Sequence, residues 1–81
     1  MNKDKWSDPT IRPSRLVIKL GEETGEVAKS FGDFLESVTR DGDVKALLAV
    51  VEECDHVIFI AEQLRDSSLA AANGMRTLHG A

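Results

Sequence analysis

Four acidic residues stand where an amphipathic helix would carry apolar ones. Glu23 and Glu26, and further on Glu52 and Asp55, are spaced three apart, which puts both members of a pair on one helix face. Around the first pair, Leu16, Leu20, Val27, Phe31, Phe34 and Val38 recur at helical spacing. At about 100° per residue, Glu23 falls within that stripe, Glu26 on its edge and Glu22 further round. The second pair falls on the arc of Leu48 and Phe59. A carboxylate taken out of water is normally paired, protonated or bound to a metal, because burying it alone is costly. Four hard oxygen donors gathered in one place suit Mg²⁺, with Mn²⁺ as the alternative. The competing reading is a solvated helix face on which Lys19, Lys29 or Arg15 pairs with Glu23 or Glu26.

The elements that must position these groups are helical throughout. Residues 1–13 contain both prolines, Pro9 and Pro13, and read as an irregular leader. The apolar period predicts a helix from Ser14 to about Thr39. Arg40-Asp41-Gly42-Asp43 reads as a turn, with Gly42 as a left-handed stop. A second helix is expected from Val44 to about Arg65; it is apolar on most sides, as a central helix is. Asp66-Ser67-Ser68 offers a third cap, before a short helix from Leu69 to about Leu78 weakened by Gly74. The expectation is an all-α domain over 14–81, an antiparallel hairpin plus a short third helix. A chain of 81 residues buries only roughly 60% of its unfolded surface, so assembly into a helical bundle by oligomerisation is expected as well.

Composition excludes several classes. A net charge of −4 without a basic stripe argues against nucleic-acid binding. The longest apolar runs, Ala46–Val51 and Val57–Ala61, are far too short to cross a bilayer. The first residues lack a signal-peptide apolar stretch, and the lone cysteine, Cys54, excludes an intrachain disulfide; both make a cytoplasmic protein the expectation. Cys54 reads as a buried small hydrophobe, His56 as an outer-face or interface residue and His79 as uninformative.

Lys19-Leu20-Gly21-Glu22-Glu23-Thr24-Gly25-Glu26-Val27, followed by Glu52-Glu53-Cys54-Asp55-His56-Val57-Ile58, resembles the EExxE…ExxD signature of the MazG-like all-α nucleoside triphosphate pyrophosphohydrolases. The resemblance spans about half the chain, from Leu16 to Leu64, with 25 residues between Glu26 and Glu52. It implies that Glu23, Glu26, Glu52 and Asp55 hold magnesium. It also implies that Glu22 is an outer ligand or orients the attacking water, and that Glu22 or Glu23 takes its proton. The implied reaction splits a (d)NTP into the monophosphate and pyrophosphate in a homodimer or homotetramer. Such chemistry is mostly positioning and charge neutralisation, which cations held by carboxylates supply. Phosphate contacts in similar proteins follow the second motif, where Asn73 and Arg76 are available here; Lys19 lies one turn before Glu23. Trp6 could stack on a base, although a lone tryptophan near a terminus more often packs over a core edge.

Three alternatives stand beside this reading. Glu53-Cys54-Asp55-His56 is also a Glu-x-x-His half-site of di-iron bundles, but the wheel turns Glu53 and His56 away from the Leu48/Phe59 arc. A phosphoribosyl-ATP pyrophosphohydrolase-like enzyme would share the fold. A helical oligomer holding only structural ions would need no nucleotide turnover.

Overall fold

Two amphipathic stretches joined by a few residues must bury their stripes against each other, and in the computed structural model they pack lengthwise. The structure describes residues 1–36 and 40–78. It comprises α1 (Lys3–Trp6), α2 (Pro13–Glu36) and α3 (Arg40–Leu78), and no strand occurs among the described residues. Val38, Thr39 and His79 lie outside them.

Proline opens α2 at the position where its missing N–H costs nothing. The side chains of α2 that lose solvent follow a four–three alternation: Leu16, Leu20, Glu23, Val27, Ser30 and Phe34 are buried or half-buried. Phe31, expected on this stripe, is instead 47% exposed. The same alternation runs along α3 through Ala46, Val50, Glu53, Val57, Ile60, Leu64 and Ser67. A mean spacing of 3.5 residues keeps a seam facing one partner along its whole length. Leu16 shares a cavity wall with Ser67 and Ala70, and Glu23 meets His56. Rising numbers on α2 therefore meet falling numbers on α3, and the pair is antiparallel. The tightest packing lies near the leader, where Leu16 is 3% and Ile60 0% exposed.

The hairpin expectation holds, but the expected third helix is not separate. α3 runs unbroken over 39 residues, through the Asp66-Ser67-Ser68 segment and through Gly74. Ending one helix and nucleating another is unfavourable, whereas each serine or aspartate costs less than about 0.7 kcal/mol and a glycine about 1 kcal/mol within a continuing helix. Ala70-Ala71-Ala72 favours continuation, and Ser67 stays on the seam. The expected turn at residues 40–43 likewise falls within the first turn of α3. Glycine costs little there, because the first N–H groups of a helix have no intrahelical acceptor in any case.

The leader is less irregular than expected. The Asn2 side chain accepts from the Lys5 N–H at 3.3 Å, capping the single turn of α1. The Asp8 carboxylate accepts from the Thr10 N–H at 2.8 Å and its hydroxyl at 2.7 Å. The backbone bond, and then the hydroxyl, hold its pKa below the ordinary value. Lys3 Nζ lies 5.4 Å from the centre of the Phe59 ring, tying α1 to α3.

At about 1.5 Å per residue, α3 is roughly 58 Å long and α2 roughly 36 Å. The molecule measures 61 × 21 × 16 Å, so α3 projects well past the leader end of α2. Its surface of 6058 Å² exceeds the about 4,800 Å² expected of a compact chain of this mass. No helix among the described residues is long and apolar enough to cross a membrane.

Candidate metal centre on the helix seam

Each seam carries one glutamate at an interior position, Glu23 on α2 and Glu53 on α3. Because the helices run antiparallel and in register there, the two carboxylates meet across the interface. Glu23 is 5% exposed, the one buried charged residue among those described. Its Oε1 accepts from Lys19 Nζ at 3.1 Å, one helical turn earlier. Its Oε2 lies 3.4 Å from His56 Nδ1, and the same nitrogen lies 3.4 Å from Glu53 Oε2. One ligand atom from each of Glu23, Glu53 and His56 falls within 4.8 Å of the others. Lys19, Glu22, Glu26 and Met1 complete the cleft around them, which has a volume of about 240 Å³.

The polar layer is internally compensated. No buried side-chain nitrogen or oxygen among the described residues lacks a partner. Lys19 neutralises one carboxylate, and the imidazole bridges the two. The imidazole nitrogen and two carboxylates converge from two rigid helices, with further carboxylates from Glu22 and Glu26 at the rim. This is a donor set that a divalent cation fits. The histidine favours Mn²⁺ and other transition ions more than Mg²⁺, which prefers oxygen alone.

Of the residues singled out in the sequence, Glu22, Glu23, Glu26 and Lys19 are brought into this cleft. Glu52 and Asp55 are not: both are exposed on α3 and neither lines it. Glu53 and His56, which the wheel turns away from the Leu48/Phe59 arc, stand in their place; for His56 the interface alternative is the one that fits. The wheel took the Leu48/Phe59 arc as inward, whereas Leu48 is 62% exposed and the buried arc centres on Ile60. A change of one residue in register turns the ligand set by about 100°. Spacing alone does not find Glu53, because Asp55 lies on an equal four–three row with Val44, Leu48, Val51 and Ile58; packing against α2 selects the row with Ile60.

Asn73 and Arg76 are exposed on the projecting part of α3. They stand roughly 26 and 30 Å along the axis from His56, out of reach of the cleft of their own chain. Trp6 is half-buried beside it, its ring centre 5.3 Å from Lys19 Nζ. Two residues that the sequence reading did not assign to the site, Lys5 and Arg15, also lie over this ring. Cys54 is half-buried and free.

Compared with protein families, curated proteins and solved structures, the chain matches none.

Proposed function

We propose that the chain is a divalent-cation-dependent nucleoside triphosphate pyrophosphohydrolase, with Glu23, Glu53 and His56 as the metal ligands and Glu22 and Glu26 at the rim. The observation that carries this reading is the meeting of Glu23, from the first acidic motif, with Glu53 and His56 at one level of a mostly apolar seam. A carboxylate layer weakens the packing of a small core, so its position at the seam's interior calls for a return in function. The resemblance to MazG-like enzymes supplies the reaction class, with one revision: the second motif is read as Glu53-x-x-His56.

The cation would screen the triphosphate and activate water near neutral pH. The chain's own residues would divide the remaining work. Glu22, at the cleft rim and free of the three-residue cluster, is placed to accept a proton from attacking water. Lys19 is placed to meet a phosphate oxygen when a cation takes over Glu23. The excess surface, with Val17, Ile18, Val44, Leu48, Val51 and Ile58 all more than half exposed, supports a homo-oligomer that covers these faces.

A pyrophosphate-release screen of the common NTPs and dNTPs, with Mg²⁺ and separately with Mn²⁺, tests the proposal. Turnover that is higher with Mn²⁺ is expected, and no turnover with any substrate and either metal would sink the enzyme reading. A second reading is favoured by one observation: Glu23 from one helix faces Glu53-x-x-His56 from the other, the residue types that make up half of a carboxylate-bridged two-metal centre in di-iron bundles. A second copy would complete it. Fe²⁺ oxidation measured on the same preparation separates this reading from the first.

A further inference from the structure

Beside the metal cleft lies a second hollow of about 330 Å³, walled by Lys5, Trp6, Arg15, Ile18, Lys19 and Glu22. Lys5 Nζ and Lys19 Nζ each lie 5.3 Å from the centre of the Trp6 ring, and Arg15 Cζ lies 5.9 Å away. One cation over a tryptophan is an ordinary packing contact. Three on one ring, from two elements, are brought together against their mutual repulsion. Lys19 is paired with Glu23, but among the described residues neither Lys5 nor Arg15 forms an ion pair. The charge is also segregated along the chain. The first twenty residues hold five basic and two acidic side chains, a net +3, whereas the whole chain carries −4.

We infer that Lys5, Arg15 and Lys19, gathered around Trp6, form an anion subsite that takes the phosphate chain of a nucleotide and delivers it to the neighbouring metal cleft. The two hollows share Lys19 and Glu22, so a chain of phosphates can lie across their common wall. Its metal-bound end would rest at Glu23, Glu53 and His56. Its other phosphates would meet the Lys5 and Arg15 donors, which form charge-assisted hydrogen bonds with phosphate oxygens. The leader is thereby a binding element, and its basic side chains offset the repulsion that a carboxylate-rich cleft exerts on a polyanion. The delivery step rests on the proposed function above; anion binding itself does not.

Trp6 is the only tryptophan and the chain has no tyrosine, so intrinsic fluorescence reports on this hollow directly. The full chain is titrated with inorganic tripolyphosphate in metal-free buffer, and with sulfate at matched ionic strength, with calorimetry in parallel. A saturable response to tripolyphosphate is expected, weaker at higher salt and at least tenfold weaker for sulfate. Lys5→Gln and Arg15→Ala should each raise the half-saturation concentration about tenfold, the loss expected of one charge-assisted contact. Lys29→Ala, on α2 and outside the hollow, should leave it unchanged, and Arg15→Lys should recover part of the loss. If a variant shifts the ligand-free Trp6 emission, Arg15→Lys, which keeps the charge and the stem, decides the point. No saturable binding by either method, or equal weakening by Lys29→Ala, would overturn the inference. A chain that releases pyrophosphate but fails here loses only the subsite. One that binds tripolyphosphate yet turns over no nucleotide keeps the subsite and loses the enzyme.

Discussion

Two faces of α3 carry nearly the same residue types and meet opposite surroundings. On one, Glu53 and His56 lie between Val50, Val57 and Ile60, pressed against α2. On the other, Glu52 and Asp55 lie between Leu48, Val51 and Ile58, all more than half exposed. Each acidic residue on one face is the chain neighbour of a polar residue on the other. Local hydrophobicity does not tell the faces apart, since both are apolar apart from the acids. Nor does spacing, since Val44, Leu48, Val51, Asp55 and Ile58 alternate four and three as well; what separates them is burial, because only the face containing Ile60 loses solvent against α2. A metal site built from two helices is therefore defined by which of two equally spaced faces packs on the partner helix.

The comparison is broken most strongly through packing. Ile60→Ala should lower the free energy of unfolding by about 2–5 kcal/mol, because a fully enclosed side chain leaves a cavity. Ile58→Ala should cost less than about 1 kcal/mol in monomeric samples. Denaturant titration checks both, and equal losses would mean that the two faces are not distinct.

The next test concerns the polar layer. Replacing the whole polar layer in Lys19→Met/Glu23→Leu/Glu53→Leu/His56→Leu should be neutral or should stabilise the hairpin by about 1–4 kcal/mol, while abolishing metal binding. Replacing buried charged groups by well-packed apolar ones commonly has that effect. Thermal unfolding with and without Mn²⁺ reads both consequences, and a marked destabilisation would make the layer a structural requirement instead. The smallest effect on the single chain is expected on the outward face. Val51→Lys/Ile58→Lys should change monomer stability by less than about 1 kcal/mol but reduce the mass found by light scattering to that of one chain. An unchanged mass would show that this face is not an interface between copies.

The helical class, the hairpin and the first motif were legible in the sequence, because α2 has one narrow stripe and Glu23 interrupts it. The continuity of α3 was not. Asp66, Ser67, Ser68 and Gly74 are each residues that end helices when nothing holds them, and here a helix already nucleated continues through them. The second half of the site was misplaced for a related physical reason. On a helix apolar around most of its circumference, Leu48 and Ile60 are equally plausible as core, and only packing against α2 decides between them. The gathering of Lys5 and Arg15 at Trp6 is not legible in the sequence, because it depends on how the leader folds back, which no spacing records. In the sequence Arg15 stands only as a candidate partner of Glu23 or Glu26.

The central claim is that the inward pair of α3, and not the outward one, holds the metal. Mn²⁺ affinity, measured by electron paramagnetic resonance of the free ion without any nucleotide, addresses it directly in Glu53→Gln and Glu52→Gln. Glu53→Gln should weaken binding at least tenfold, with Glu52→Gln within about twofold of the unaltered chain. The reverse order, or equal affinities in both variants, would contradict the account.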